Sequence, residues 1–257
     1  MRVKVLSAAL AAAFLIGGAW SAWRAGAEAK VPPYIVAAVA DPSRPQADTD
    51  RDAARKPVEM LMFIKIKPGE RVVDFMPGPN GYFTKLFADV VGPTGHVYAF
   101  IPAEVANFKK MTLPPNGSQI DAARPNVTAL VAPAKDFTTP EPVDIVWTSQ
   151  NYHDLHDPFM GPVDMAVFDA AVFKSLKRGG IFVVLDHAAL AGSGVGDTNT
   201  LHRIDPAAVL GEVTAAGFQF VKESTVLRNP DDPHTALVFD PSIRGHTDQF
   251  VYLFRKP

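Results

Sequence analysis

Val72-Val73-Asp74-Phe75-Met76-Pro77-Gly78-Pro79-Asn80-Gly81-Tyr82 passes from a short apolar run, through a turn rich in Gly and Pro, into a helical pattern. Residues 71–75 (RVVDF) have the length and the β-branched content of a buried strand. Beyond the turn, Phe83, Leu86, Phe87 and Val90 recur at helical spacing and predict a helix over 82–91. A strand that turns straight into a helix is the opening unit of an open α/β sheet. That first turn is where such sheets receive ligands, because helix-terminal amides attract an anion and Gly lets the backbone come close. The bend after Phe75 is therefore expected to offer its amides to a ligand beside the carboxyl edge of the sheet.

The same alternation continues outward. Strands are predicted at 96–100, 127–131, 144–148 and 181–185, with two more at 218–226 and 249–254. A helix is expected from Val163 to Lys177, with Met165, Phe168, Val172 and Leu176 on its apolar face, closed by Lys177-Arg178-Gly179-Gly180. Asp205-Pro206 supplies a cap and a first-turn proline for a helix running to about Ala216. Before the first strand, a helix capped at Asp48 or Thr49 is bent or restarted by Pro57. Together these predict an α/β fold with a seven-stranded, mostly parallel sheet, an antiparallel last strand and helices on both faces.

The ends and the composition bound the function. Arg2 and Lys4 precede an apolar run from Val5 to Ala19, and Ala25-Gly26-Ala27 has the small-x-small pattern of a signal peptidase site. Residues 1–27 thus read as a cleaved signal peptide, 28–47 as an extended Pro- and Ala-rich leader, and 48–257 as one domain. The apolar run is short for a membrane span, which wants roughly 20 residues, so no stable membrane insertion is expected once it is removed. The chain has no Cys, which excludes a lipid-anchored cysteine and any disulfide framework. Cleavage would remove Arg2, Lys4 and Arg24 but none of the 27 Asp and Glu, leaving an acidic protein unsuited to nonspecific nucleic-acid binding. The expected location is periplasmic or secreted, and the expected partner is a small molecule.

Polar residues gather at the predicted carboxyl ends of the strands. Asn151-Tyr152-His153-Asp154-Leu155-His156-Asp157 follows the fourth strand, Asp186-His187 the fifth, and His202-Arg203-Ile204-Asp205 precedes a helix. A His paired with a carboxylate can act as a general base near neutral pH, which makes His153, then Asp186 and His187, then His202 the candidate catalytic residues. Loop His and Asp also cap helices or bind backbone. The spacing matches no standard metal signature, so no metal site is predicted. The connection after residue 226 holds Arg228, Asp232, His234, Arg244 and Asp248, and reads either as a solvated loop or as a cap over a pocket. Gly192-Ser193-Gly194-Val195-Gly196 lacks the strand-loop-helix context of a phosphate loop.

The stretch 72–82 resembles motif I of the class I S-adenosylmethionine-dependent methyltransferases, an acid followed by three alternating glycines. Asp74 matches the acid and Gly78 the middle glycine, Met76 and Asn80 stand at the other two, and Gly81 follows one place late. Asp144-Ile145-Val146-Trp147 resembles the family's fourth-strand motif, and 176–184 (LKRGGIFVV) its turn into strand five. The MPG form of the motif, the NYHDLHD segment and the HRID, RNP and FDPSIRGHTDQF ending are similar to a group of exported methyltransferases of bacteria. The resemblance implies a Rossmann-like methyltransferase sheet with S-adenosylmethionine as cofactor. It places Asp74, Gly78, Asn80 and Gly81 near the methionine end and ribose, and Asp136-Phe137 on the adenine side. Where the family carries an acid for the ribose hydroxyls this sequence reads Ala99-Phe100-Ile101, and Glu104 is the nearest acid. An exported binding protein for a nucleoside or other small ligand on the same scaffold is the alternative, and metal-dependent chemistry at the His cluster a third reading. N-terminal sequencing of the exported protein is expected to begin at Glu28; an intact Met1 on that product would refute cleavage after Ala27.

Overall fold

The predicted strands all form, and the chain order sets their arrangement. The computed structural model describes residues 30–106, 124–161 and 163–257, so the signal-peptide assignment lies outside the described residues. The strands are β1 (Arg71–Phe75), β2 (His96–Pro102), β3 (Val127–Ala132), β4 (Val143–Ser149), β5 (Leu176–His187), β6 (Gln219–Ser224) and β7 (Gln249–Arg255). They make one sheet in the order β3-β2-β1-β4-β5-β7-β6. Only β7 runs against its neighbours, pairing antiparallel with both β5 and β6. The chain winds outward from β1 to β3 on one side, then returns to place β4 beside β1 on the other. The carboxyl ends of β1 and β4 therefore flank the topological switch point, where a crevice opens between diverging connections.

Helices cover both faces. They are α1 (Pro33–Val39), α2 (Gln46–Thr49), α3 (Asp52–Arg55), α4 (Pro57–Ile64), α5 (Tyr82–Val91), α6 (Ala103–Ala106), α7 (Met165–Ser175), α8 (Thr198–Leu201) and α9 (Pro206–Ala215). On one face Phe83 and Phe87 of α5 pack on Trp147 of β4, with ring centroids 4.8 and 5.6 Å apart. On the other, Phe168 of α7 meets Phe75 at 5.1 Å, and Phe100 and Phe137 complete an aromatic cluster with them. Val31–Pro257 forms one compact unit. Among the described residues no helix is long and apolar enough to cross a membrane.

Three readings of the sequence need correction. The leader over 28–47 is not extended throughout, because Pro33 takes the first position of α1, where its missing amide costs nothing, and Ile35 and Ala38 bury themselves in the core. The helix expected before β1 does restart at Pro57, which opens α4, but the stretch before it is itself divided into α2 and α3. Lys56 precedes Pro57, is barred from helical backbone and turns left-handed at φ 48°. The Lys177-Arg178-Gly179-Gly180 turn does not close a helix. Helix α7 already ends at Ser175, Leu176 pairs with Val143, and the next four residues loop out before Ile181 rejoins Ile145. Gly180 is required in that bulge, since a Cβ there would lie 2.9 Å from the Lys177 carbonyl and 3.0 Å from that of Asp144.

The long connection between β6 and β7 is pinned rather than merely solvated. Arg203 is fully buried and holds Asp232 through two hydrogen bonds of 2.8 and 3.1 Å, while donating to the carbonyls of Ala188 and Ala236. Asp232 in turn accepts the amides of His234 and Asp248. Asp232→Ala would leave the Arg203 guanidinium buried without a counter-charge, a loss of about 3–5 kcal/mol in urea unfolding; a loss below ~1 kcal/mol would show that this pair does not hold the connection.

Candidate active site

A crevice of about 250 Å³ lies at the switch point. Its walls come from the segments that the topology brings together there. Asp74, Met76, Pro77, Gly78, Pro79 and Asn80 follow β1, Tyr82 and Phe83 open α5, and Ser149, Gln150 and Asn151 end β4. Arg51 and Arg55 reach it from the segment before β1, and Asp154 and Phe239 close it.

The β1–α5 turn keeps the backbone of a glycine loop with fewer glycines. Met76, Gly78 and Gly81 all adopt positive φ, at 54, 71 and 55°, so the late glycine in the sequence is late in the backbone as well. A non-Gly residue in this region is strained by on the order of 1 kcal/mol. Met76 is held there because its amide donates to the Phe100 carbonyl (2.8 Å) and its carbonyl accepts from Asn151 Nδ2 (2.9 Å). The expectation that the whole bend offers free amides is thus corrected: Met76's is spent in the sheet, and Pro77 and Pro79 have none. Gly78 is the open point of the loop, with nothing within 4 Å of where a Cβ would stand.

Charge in the crevice is divided. Arg55 lies over the rings of Tyr82 and Phe83 at 5.3 and 5.7 Å and donates to Gln150 Oε1 at 3.0 Å. Burial, and then Arg51 nearby, bring its guanidinium down to about 10. Asp74 is buried and accepts from the Thr84 hydroxyl at 2.6 Å, and burial raises its carboxyl to about 7 in spite of that bond and of Arg55.

The His-rich segment forms a layer beside the crevice. His153–His156 is a short 3-10 turn whose first residue is buried. Asp186, fully buried, accepts the His153 amide at 2.9 Å and His153 Nδ1 at 2.8 Å. An ionised carboxylate only accepts, so Nδ1 carries the proton and Nε2 faces away from Asp186. That Nε2 lies 3.2 Å from His202 Nδ1 and 3.3 Å from Asp154 Oδ1. Burial opposes charge on His153, yet Asp186 outweighs it and lifts the imidazole to about 9.

The structure brings some predicted residues together and separates others. Asp74, Gly78 and Asn80 line the crevice, and Gly81 caps α5 behind it. His153, Asp186 and His202 form one hydrogen-bonded chain, but Asp154 is its member that lines the crevice. The His187 ring is apart from it, although its amide donates to Asp186: Nδ1 meets the Thr247 hydroxyl at 2.7 Å, and burial pushes the imidazole down to about 3, so it stays neutral. Tyr152 turns between α7 and α9 to Asp169 and Glu212. On the expected adenosyl side, Glu104 accepts the Ala134 amide, Phe137 is buried in the aromatic cluster, and exposed Asp136 pairs with Lys135. None of these three reaches the crevice. Arg51, Arg55, Gln150 and Asp154 were not singled out from the sequence; Arg51 and Arg55 carry one signal, a four-residue spacing that puts both on one side of a helical turn.

Solved structures share this architecture. A SAM-dependent methyltransferase from Aquifex aeolicus matches over 81% of this chain and 99% of its own, at 16% identity and a TM-score of 0.53. One from Mesorhizobium loti matches over 80% and 99%, at 16% identity and 0.54. The [4+2]-cyclase SpnF matches over 82% and 81%, at 17% identity and 0.55. The fold is the methyltransferase Rossmann-like fold. No family model matches the sequence, and no curated protein matches it either.

The buried Asp74 carries a stability signature. Its folded pKa, about 7 against 3.8 unfolded, means that ionisation costs more in the folded state, so stability is lost as pH rises from about 4 through 7. Asp74→Asn removes that cost. Its stability relative to wild type should grow by ~2.5 kcal/mol between pH 5 and pH 8 in urea unfolding. A difference independent of pH would show that Asp74 is ionised at all these values.

Proposed function

We propose that this chain is an exported S-adenosylmethionine-dependent methyltransferase acting on a small molecule. The supporting observation is the division of charge in the crevice: Arg51 and Arg55 line it together with Asp74 and Asp154, and Gly78 leaves open space within it. An α-amino-acid group carries one charge of each sign, and opposed cations and carboxylates are what such a group requires. The amino-acid end of S-adenosylmethionine fits this chemistry, with its carboxylate toward Arg51 and Arg55 and its ammonium toward the acids. When bound, the cofactor supplies a methyl group made electrophilic by a sulfonium.

The chain's own contribution is mainly positioning, which suffices to make a two-reactant displacement effectively unimolecular. Arg55, fixed by Gln150 and stacked on two rings, sets the depth of the bound amino acid. Asp154 supplies a carboxylate that meets the ammonium where the crevice borders His153. His153, held by Asp186, keeps Asp154 in place rather than entering the crevice itself.

One observation favours a second reading, a non-catalytic binding protein for a small zwitterion or nucleoside. Glu104 is committed to the Ala134 amide, so no carboxylate stands ready for ribose hydroxyls, and burying those without a partner weakens binding. Calorimetric titration with S-adenosylmethionine and S-adenosylhomocysteine separates the two. Micromolar binding is expected, abolished by Gly78→Arg and weakened roughly tenfold or more by Arg55→Met, a loss of about 1.4 kcal/mol. Silence toward both compounds would overturn the methyltransferase reading and leave the binding protein.

A further inference from the structure

We propose that His153, His202 and Asp154 form a binding site for one divalent transition-metal ion, zinc being the ion used to test it. The donor atoms already stand at ligand spacing. His153 Nε2 to His202 Nδ1 is 3.2 Å, His153 Nε2 to Asp154 Oδ1 is 3.3 Å, and His202 Nδ1 to Asp154 Oδ1 is 3.7 Å. Zinc binds imidazole nitrogen and carboxylate oxygen at about 2.0–2.2 Å, which separates tetrahedral ligands by about 3.3–3.6 Å. One point lies about 2 Å from all three donors, the distance that zinc needs.

The surroundings are those of a metal ligand set. Nδ1 of His153 donates to buried Asp186 at 2.8 Å, the carboxylate–histidine arrangement that fixes the tautomer and turns the Nε2 lone pair toward a metal. When Nε2 carries a proton, it faces a second imidazole nitrogen and a carboxylate oxygen, two acceptors that this proton cannot serve equally, and a metal ion takes the proton's place. A cation between them satisfies all three. Asp157, four residues on, is buried with neither oxygen in a hydrogen bond, since the neighbouring Thr198 hydroxyl donates to Val195 O instead. It lies within electrostatic reach of His153, Asp154 and His202. Two nitrogens and one carboxylate with further positions open suit zinc or ferrous iron, and exclude the all-oxygen sites preferred by magnesium and calcium.

Asp154 also lines the crevice, so an ion held here borders the space assigned to the substrate. A role in binding the acceptor's oxygen or nitrogen as a Lewis acid rests on the methyl-transfer reading; the metal site itself does not.

The test uses the whole protein, stripped with a chelator and dialysed, then titrated with Zn²⁺ alone and with Mg²⁺ alone. One zinc per chain at micromolar affinity or tighter is expected, with no uptake of magnesium. His202→Asn keeps a residue type that tolerates the left-handed backbone at this position (φ 52°) and should weaken zinc by about 100-fold while circular dichroism stays native. Asp186→Asn, which touches no metal, should weaken it by ~10–100-fold. No stoichiometric zinc in the wild type, or wild-type affinity in a folded His202→Asn, would overturn the site. No adenosyl compound is present, so zinc binding beside silence toward S-adenosylmethionine would sink only the methyl-transfer reading, and the reverse result only this one.

Discussion

A carboxylate with no exposed surface, Asp186 at the end of β5, organises this side of the molecule. Burying an ionised carboxylate costs several kcal/mol unless hydrogen bonds and opposite charge compensate it. Asp186 finds the compensation in the amides of His153 and His187 and in the His153 ring. Those bonds have geometric consequences. They fix the 3-10 turn after β4, and with it the direction of Asp154, and they orient the His153 ring, hence which nitrogen meets His202. A single buried acid thus converts the carboxyl ends of two strands into one rigid wall. Burial would raise this carboxyl, and the His153 charge holds it low instead, so the wall keeps its ionic character.

Strain is distributed in the same neighbourhood. Met76, Gln150 and His202 are non-glycine residues with positive φ, and they stand at the ends of β1 and β4 and beside the His cluster. Each is held by bonds from elsewhere: Met76 by Phe100 and Asn151, Gln150 by Arg55, Gln249 and the Leu185 carbonyl, His202 by His153. Strained backbone survives where surrounding contacts over-determine it, and such places are commonly functional. The coincidence of strain, buried charge and a cavity at one switch point is a stronger reason to look there than any of the three alone.

The sheet was legible because its signals are short-range. RVVDF, DIVWT and IFVVL are β-branched apolar runs bounded by turn residues, and such runs have few alternatives. Errors arose where one residue type serves two purposes. Pro33 reads as a breaker but starts a helix, and Gly179-Gly180 reads as a helix stop but forms a bulge inside a strand. In the site, the His and Asp segments could be seen, but not the direction in which each side chain turns. Nothing in the order of residues 151–157 says that His153 turns inward while Asp154 faces the crevice, because that depends on Asp186, more than thirty residues away. Likewise His187 reads as a catalytic candidate beside Asp186, yet its ring turns to Thr247. Arg55 was hidden for the opposite reason: a charged residue in a helical turn ordinarily faces water, and only the rings of Tyr82 and Phe83 give it a place indoors.

Sharing a fold with methyltransferases constrains this chain less than its own side chains do. The same architecture carries a [4+2]-cyclase, so the scaffold supplies a switch point and leaves the chemistry to what lines it. Here the lining departs from the resemblance at both ends, but with different consequences. The end expected to meet an adenosyl group has spent its polar groups internally, Glu104 on a backbone amide and Phe137 on the aromatic cluster, while the end expected to meet an amino acid keeps opposed charges around Gly78. Specificity in such a crevice would come from charge pairing at the amino-acid end, with the adenosyl portion recognised by shape and apolar contact. On the proposed reading, a ligand held by these arginines and acids presents a zwitterion, and that requirement narrows the ligand class more than the fold does.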